Sequence, residues 1–185
     1  MSTTYVHIHQ DLIEGCKRGE RLAQNKVYKL YNRAMFNICM RMLGDEAAAE
    51  DALQESFVNA FRKIHSFEGR STFGAWLKRI VINKCLSQIN KRKLYTEPLN
   101  DNLAAHQQEE EESDSPIGQL TSETIHSAIQ KLPEGCRVIF TLYLLEGYDH
   151  QEIADILGVT VSTSKSQYHR AKKLLRQHLS TQIVN

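Results

Sequence analysis

Residues 66–93, SFEGRSTFGAWLKRIVINKCLSQINKRK, combine the only tryptophan of the chain with an apolar middle and a basic end. Ser71 or Thr72 is a suitable N-cap after the turn at Gly69, and no proline follows, so the pattern predicts a helix to about Lys93. At about 100° per residue, this helix carries two apolar stripes on different sides. The first contains Phe73, Trp76, Leu77, Ile80 and Val81, and the second contains Ile82, Leu86 and Ile89. Such a helix must pack between several others.

A narrow polar line, bordered by Trp76, separates the two stripes. It contains Arg79, Asn83, Ser87 and Asn90, and Lys91, Arg92 and Lys93 follow at its end. Bases stack on aromatic rings and phosphates attract cations, so the line suits a nucleic-acid strand. The pattern also fits a core helix with a solvated edge, because most buried helices have a polar side. Periodicity alone favours this second interpretation.

The composition is that of a soluble globular protein. With 41% apolar residues among 185, the chain can form one or two domains with real cores. No apolar run approaches the ~18 residues of a membrane span and the start lacks the order of a signal peptide, so we expect a cytoplasmic protein without direct membrane insertion. The cysteines are far apart and form no CxxC pair, so we expect buried thiols rather than a zinc site or disulfides. They are Cys16, Cys39, Cys85 and Cys136.

Charge is strongly segregated along the chain, although its net value is only +1. Residues 1–95 contain 16 Lys/Arg and 9 Asp/Glu, residues 96–123 contain 0 and 8, and residues 124–185 contain 7 and 5. The three segments therefore carry +7, −8 and +2. Residues 96–121, with a proline near each end and no amphipathic period, are interpreted as an acidic flexible linker.

The chain before the tryptophan helix predicts three further helices. Apolar residues recur at helical spacing from Asp11 to about Leu43 with a break near Gly19, which favours two helices. Gly44 is a natural helix end and Asp45 a natural N-cap for the third. The predicted buried stripe of that helix contains Leu53, Phe57, Ala60, Phe61 and Ile64. A second stripe, Asp51, Gln54, Glu55 and Val58, fits either a solvated face or a docking face, and without other information the solvated face is favoured.

The last part of the chain contains the most specific motif. A helix ends near Lys131, and Pro133 and Gly147 bracket the next one. Residues 149–175, DHQEIADILGVTVSTSKSQYHRAKKLL, then place an N-cap before a short helix, a glycine at a tight turn and a long basic helix after it. The cap is Asp149 with Glu152 three residues later, Ala154 has the small side chain that a helix crossing needs, and Gly158 permits the turn. This pattern predicts a helix-turn-helix, with a helical hairpin that does not bind DNA as the alternative.

We expect the second helix of this motif to turn its polar side toward DNA. The expected DNA-facing residues are Ser162, Thr163, Lys165, Ser166, Gln167, His169 and Arg170. The expected inward residues are Tyr168, Ala171, Leu175 and Leu179.

Together these motifs resemble the extracytoplasmic-function (ECF) sigma factors of bacterial RNA polymerase, which belong to the sigma-70 family. The resemblance rests on residues 50–85, the acidic linker, residues 132–159 and residues 164–175, in that order. It implies an all-α protein of two small helical domains joined by the linker. Residues 1–95 are then a region 2-like domain and residues 122–185 a region 4-like domain. The implied function is binding core polymerase and directing promoter-specific initiation, with no enzyme activity, cofactor or metal site.

The resemblance also assigns roles to residues. In this family, the helix carrying Asp51, Gln54, Glu55 and Phe57 docks on the clamp of the largest polymerase subunit. The following loop and the polar line resemble the part that opens the minus-ten element and holds a flipped base, with Asn83 at the base-contact position. The expected minus-ten residues are His65, Ser66, Arg70, Trp76, Arg79, Asn83, Lys91 and Arg92. The helix-turn-helix resembles the module that reads the minus-35 element while the flap of the second-largest subunit holds it. An anti-sigma factor, with membrane attachment as one possibility, is a further expected partner.

One part of the chain departs from the family. The usual G-T-V-[KR]-S-R pattern is replaced by STSKSQ at residues 162–167. Ser164 replaces an apolar residue that plugs the core, and Gln167 replaces an arginine that faces phosphate or base. We expect the Ser164 hydroxyl to face the core with little benefit, so Ser164→Val is predicted to stabilise the domain by about 1 kcal/mol.

Two other classes of protein stay open on the residues alone. A dimeric helix-turn-helix activator or repressor would bind duplex DNA without polymerase and use residues 1–95 for sensing or dimerisation. A helical metal-dependent enzyme would need clustered ligands, and His7 with His9 is the only tight histidine pair. Copurification with core polymerase distinguishes these classes from a sigma factor.

From the charge segregation we expect the free protein to bind promoter duplex weakly and the polymerase-bound form to bind it specifically. Each half offers few phosphate contacts, and the acidic linker repels DNA. Fluorescence anisotropy of labelled promoter DNA at physiological salt measures both affinities. Nanomolar, sequence-specific binding by the free protein would contradict this expectation.

Overall fold

The computed structural model describes residues 9–96 and 121–183, and all the regular elements in these ranges are helices. The helices are α1 (Gln10–Lys17), α2 (Arg21–Leu43), α3 (Glu46–Arg62), α4 (Phe73–Thr96), α5 (Ser122–Gln130), α6 (Glu134–Phe140), α7 (His150–Leu157) and α8 (Val161–Ile183). They form two compact units, α1–α4 and α5–α8. The predicted all-α class with two helical domains is confirmed. The predicted linker lies outside the described residues, except that α4 includes Thr96 and Thr121 caps α5.

The predicted helix boundaries of the first unit are set by local chemistry. Gly44 ends α2 with a positive φ of 71°, and its N–H donates to the Met40 carbonyl. Asp45 then caps α3, with its carboxylate accepting from the Ala48 N–H at 2.8 Å. The break between α1 and α2 at Gly19 is also confirmed. α4 runs to Thr96, slightly beyond the predicted end at Lys93.

The helix α4 is the central element of the first unit. It packs against both α2 and α3, and both of its apolar stripes are covered. Leu77 and Val81 of the first stripe are fully buried, as is Ile82 of the second. The prediction of a helix packed between others is therefore confirmed, and the polar line is left facing solvent.

The end of α3 differs from the prediction. The helix stops at Arg62, and a 3-10 turn over Ile64–Ser66 follows. Ile64 is buried as expected, but Phe61 is only half-buried. The tighter turn lets the Ser66 and Phe67 N–H groups donate to the Lys63 and Ile64 carbonyls, which satisfies backbone groups at the helix end.

The second unit is built around one apolar cluster between α5, α6 and α8. Its buried members are Ala128, Ile129, Leu132, Cys136, Phe140, Ala171 and Leu175. Arg137 is also buried, and its guanidinium donates to the carbonyls of Gln130 and Leu132 at 3.3 and 3.4 Å. A basic side chain of α6 thus bonds to one carbonyl at the end of α5 and to another just after it. α6 continues as a π-helical turn over Thr141–Leu145 before the positive φ of Gly147 ends it.

All four cysteines are buried and carry free thiols, as predicted. A hydrogen bond with Cys39 and burial both raise the pKa of the Cys85 thiol, so Cys85 stays protonated. Such thiols pack as small apolar groups. In the ranges that the structure describes, no helix is long and apolar enough to cross a membrane.

The crossing of α1 and α2 gives a stability prediction. A Cβ at Gly15 would lie 2.8 Å from the Ala23 Cβ, whereas one at Gly135 meets nothing within 4 Å. We expect Gly15→Ala to lower the free energy of unfolding by about 1–3 kcal/mol, because the two helices must separate. The matched control Gly135→Ala should be neutral or stabilising by up to about 1 kcal/mol, since alanine is the better helix former.

Urea unfolding separates the two effects, because fluorescence of the single tryptophan, Trp76, reports the first unit. Circular dichroism reports both units. An unchanged fluorescence transition for Gly15→Ala would contradict the close helix contact.

Candidate nucleic-acid and protein interfaces

The polar line on α4 is exposed along its length. Arg79, Asn83, Ser87 and Asn90 all face solvent, and Trp76 at its border is half-buried. Lys91 is exposed at the far end, whereas the side chain of Arg92 lies outside the described residues. Because one straight helix carries the whole set, the spacing between its members is fixed by the backbone.

Trp76 is held in place by an aromatic cluster. Its indole lies 5.5 Å, between ring centroids, from both Phe67 and Phe73, and these two rings lie 5.5 Å apart at 90°. Phe73 also meets Tyr31 of α2 at 5.4 Å. Such edge and tilted contacts are favourable for aromatic pairs, so the indole is held by its neighbours while the residue stays partly accessible. Sequence reasoning missed Phe67, whose only signal was a lone apolar residue in a polar loop.

The loop that Phe67 anchors presents the other predicted minus-ten residues. His65, Ser66 and Arg70 are all exposed. The Ser66 hydroxyl donates to the Lys63 carbonyl at 2.8 Å, and Arg70 pairs with Glu68 at 2.7 Å. Both contacts are at the surface, where an ion pair contributes little to stability. The loop and the polar line therefore belong to one unit and adjoin at the start of α4.

The acidic stripe of α3 is exposed except at one predicted position. Asp51, Gln54, Glu55 and Val58 face solvent. Phe57 is 3% exposed and packs against Tyr28 with ring centroids 4.8 Å apart. Its inclusion among the polymerase-contacting residues was wrong, because a side chain in the core between α2 and α3 cannot touch a docked partner. Phe57 supports the stripe from below.

An ion pair joins the acidic stripe to α4. The Lys84 ammonium contacts the Glu55 carboxylate, and the lysine side chain is only 16% exposed against 57% for the glutamate. This ion pair connects Glu55 of the acidic stripe to α4, the helix that carries the polar line, at the residue next to Asn83. Sequence reasoning did not single out Lys84, since a contact between residues 55 and 84 leaves no local pattern.

The helix-turn-helix of the second unit has the predicted local structure. Asp149 caps α7, and Glu152 returns a bond to the Asp149 N–H at 2.9 Å, which completes a capping box. Gly158 adopts a positive φ of 67° at the turn, and Ala154 is buried where α7 meets α8. α8 then begins at Val161.

The predicted DNA-facing residues of α8 do not all face the same way. Exposed members are Ser162, Thr163, Lys165, His169 and Arg170, whereas Ser166 and Gln167 are half-buried. The Gln167 amide oxygen accepts from the Cys136 thiol at 2.9 Å, so it faces the core of the unit rather than DNA. Burial raises the pKa of Cys136, which keeps the thiol available as a donor. The expected outward direction of Gln167 was therefore wrong for its amide oxygen.

The inward side of α8 follows the prediction more closely. Ala171 and Leu175 are buried, and Tyr168 and Leu179 are half-buried against the same core.

Ser164 is fully buried, as predicted, but its hydroxyl has a partner. Its Oγ lies 2.9 Å from Nδ1 of His150, the first residue of α7. The expectation that this hydroxyl has little benefit was therefore wrong, and we now expect no gain from Ser164→Val, because valine would remove one member of this hydrogen bond. His150 is a residue that sequence reasoning missed.

Comparison with known proteins matches these two units to two regions of one class. Residues 27–95 match Sigma-70 region 2, and residues 122–175 match Sigma-70, region 4. The chain is 31% identical to the ECF RNA polymerase sigma factor SigW of Bacillus subtilis, over 90% of this chain and 94% of that relative. It is 29% identical to the RNA polymerase sigma-H factor of Pseudomonas aeruginosa, over 92% and 93%.

Solved structures agree with these sequence matches. The sigma factor RpoE of Bartonella quintana, in complex with the anti-sigma factor NepR, is 25% identical with a TM-score of 0.55, over 84% of this chain and 96% of that one. CnrH in complex with the cytosolic domain of CnrY shares the fold, at 22% identity and a TM-score of 0.53, over 92% and 96%. The chain belongs to the ECF sigma factors of the sigma-70 family. It is thus a sigma factor for promoter-specific transcription initiation, and the resemblance found in the sequence is confirmed.

The N-cap of α4 gives a prediction for the helix that carries the polar line. Of the two candidate caps, Thr72 accepts from the Ala75 N–H at 3.2 Å, whereas the Ser71 hydroxyl donates to the Thr72 carbonyl at 3.3 Å. We expect Thr72→Ala to cost about 1 kcal/mol and Ser71→Ala less than about 0.5 kcal/mol. Denaturant unfolding followed by Trp76 fluorescence measures both, and equal losses would contradict the assignment of the cap.

Proposed function

We propose that the first unit binds core RNA polymerase through the acidic stripe of α3 and holds the melted non-template strand of the minus-ten element on the polar line of α4. The second unit reads the minus-35 duplex through α8. The observation that carries this proposal is the exposure of the polar line on a helix whose other sides are buried. Solvent exposure alone would make Arg79, Asn83, Ser87 and Asn90 polar, but strand binding also accounts for the partly accessible Trp76 at their border and the exposed Lys91 at their end.

The polar line has the chemistry that an unpaired base needs. The Asn83 amide offers two donors and an acceptor for a base edge. Trp76, supported from behind by Phe67 and Phe73, offers a partly accessible ring for stacking. Arg79 and Lys91 provide cations for the phosphates on either side. Base capture offsets the few kcal/mol that unpairing each base costs.

The acidic stripe suits a basic surface of the polymerase. Asp51 and Gln54 are exposed, and Asp51 makes no ion pair with any residue that the structure describes. Glu55 already pairs with Lys84. A charge reversal at Glu55 would place an arginine beside the ammonium of Lys84 and could disturb the fold. Asp51 is therefore the better position for testing docking. Complementary charges at such an interface mainly set specificity and the rate of association.

The exposed residues of α8 divide between two kinds of DNA contact. Lys165 and Arg170 suit phosphates or the acceptor edge of guanine, and Ser162 and Thr163 at the start of the helix can bond to either phosphate or base. In a helix-turn-helix the second helix enters the major groove, and here that helix is α8, which follows the short helix α7. We do not expect this set to have the base preference of family members with an arginine at position 167, because the Gln167 oxygen bonds to Cys136 instead of facing DNA.

The same assignment defines the partners and the place of action. We assign an anti-sigma factor as an inhibitory partner, because one structurally similar sigma factor was solved in complex with an anti-sigma factor. The flap of the second-largest polymerase subunit is assigned to the second unit. Transcription then requires the protein in the cytoplasm, where the polymerase supplies the bond chemistry.

Charge reversal at Asp51 tests the docking surface. We expect Asp51→Arg to weaken binding of core polymerase at least about tenfold, because like charges across an interface cost several kcal/mol. The fold should be unaffected, since changes at exposed positions rarely cost more than about 0.5 kcal/mol. The control is Asp11→Arg, the same substitution at an exposed residue of α1. Fluorescence polarisation with purified core polymerase measures both affinities, and normal binding by Asp51→Arg would refute the docking surface.

Truncation at Asn83 tests strand capture. We expect Asn83→Ala to keep polymerase and minus-35 binding but to impair opening by about 1–3 kcal/mol, as other single base contacts do. Asn25→Ala, on the exposed side of α2, is the control. Permanganate footprints compare linear promoter DNA with a template that carries a pre-melted bubble. Full opening of linear DNA by the variant would rule out the role, and a defect that persists on the bubble would place the fault elsewhere.

A further inference from the structure

A polar pair lies at the junction of α7 and α8, where an apolar contact would be enough for packing. Ser164 is 0% exposed, and its Oγ lies 2.9 Å from Nδ1 of His150. The two residues are fourteen positions apart and belong to the two helices of the DNA-reading motif. A buried hydroxyl with a side-chain partner on the facing helix is a directional contact, because hydrogen bonds weaken steeply when they are bent.

His150 is also fixed by two aromatic rings from two other elements. Its ring stacks on Tyr143 of the π-helical turn, with centroids 4.3 Å apart and planes at 14°. It meets the edge of Tyr168 on α8 at 5.7 Å, and the two tyrosine rings lie 4.5 Å apart. In this orientation the imidazole stacks on Tyr143 of the π-helical turn and also bonds to Ser164 of α8. Three elements of the second unit meet at this one side chain.

We propose that His150 is a positioning residue for minus-35 recognition, which fixes the rotation of α8 through its hydrogen bond to Ser164. The proposal rests on the assignment of α8 to the minus-35 duplex. Successive residues of a helix are rotated by about 100°, so the inward direction of Ser164 sets where Thr163 and Lys165 point. An apolar residue at position 164 would fill the same space without the directional bond to His150. The bond thus contributes to base selectivity beyond its contribution to stability.

The electrostatic surroundings of the imidazole favour its neutral form. The pKa of His150 is lowered from its ordinary value of 6.5, first by burial and then by Lys165 and His169 of α8, while Asp149 on its own helix acts in the opposite direction. The phenols of Tyr143 and Tyr168 are the other titratable groups against the ring. For a histidine whose pKa is lowered by folding, the stabilisation is complete above the unfolded pKa and is lost as pH falls below it. Protonation in acid should therefore disfavour the packed position of the ring between Tyr143 and Tyr168.

The test uses the full chain in holoenzyme with core polymerase and a promoter library in which the minus-35 element is randomised. Sequencing of the bound DNA gives an enrichment ratio for each base. We compare wild type with Ser164→Val, His150→Phe and the double variant. Ser180→Val is the matched control, because it is the same substitution at an exposed serine of the same helix.

We expect each single variant to reduce the strongest enrichment about three- to tenfold, the range that one hydrogen bond of net ~0.5–1.5 kcal/mol supports. The double variant should recover the melting temperature, because replacing both partners by apolar groups can be nearly neutral for stability. It should not recover the enrichment. Recovery of both quantities would show a merely structural contact and overturn the proposal, as would unchanged enrichment in the single variants.

Wild-type holoenzyme provides the check on the underlying assignment. If wild type selects no minus-35 sequence, the assignment of α8 fails, and the proposal fails with it. If wild type selects and the variants select equally well, the proposal alone fails.

A pH series gives a second readout. The wild-type enrichment should fall only as pH decreases below 6.5, the ordinary histidine pKa, because folding lowers the pKa of His150, whereas His150→Asn should show a flatter profile. Identical pH profiles for wild type and His150→Asn would contradict the role of His150.

Discussion

The first unit depends on the requirement that α4 be covered on two sides. Its two apolar stripes leave no orientation in which a single neighbouring helix could bury them, so α2 and α3 must both pack against it. The approach is close, since a Cβ at Gly74 would lie 3.3 Å from the ring of Tyr31. What remains outside this packing is one row of polar residues with Trp76 at its edge. The burial that stabilises the helix therefore also defines the narrow surface on which a strand can lie.

This arrangement gives the proposed strand-binding surface a rigid support. Residues on a buried helix are held by the core, and the loop before α4 is held by Phe67 within the aromatic cluster. The ion pair between Glu55 and Lys84 joins the same helix to the acidic stripe. Surface pairs of this kind contribute little energy, but this one connects two proposed interfaces through a nearly buried lysine. The proposed polymerase-docking and strand-binding surfaces thus lie on adjacent faces of one folded unit.

The sequence was sufficient wherever the deciding physics is local. Helical periodicity identified both stripes of α4, and capping chemistry located Gly44, Asp45, Asp149 and Gly158. It failed where the outcome depends on tertiary contacts. On α3, helical periodicity predicted that Phe57 is buried, whereas the family resemblance assigned it to the polymerase interface. The packing of Phe57 against Tyr28 shows that it is buried. Ser164 bonds to His150, 14 residues away, and Gln167 bonds to Cys136, 31 residues away. No local sequence pattern reveals such partners.

The central claim is that the polar line of α4 touches the melted strand. The most direct measurement is site-specific photocrosslinking from benzoylphenylalanine substituted for Asn83, compared with the same amino acid substituted for Asn37 on the exposed side of α2. In an open promoter complex with core polymerase, position 83 should crosslink to the non-template strand within the minus-ten element, and position 37 should not. Crosslinks from position 83 to duplex DNA only, or equal crosslinking from both positions, would contradict the account.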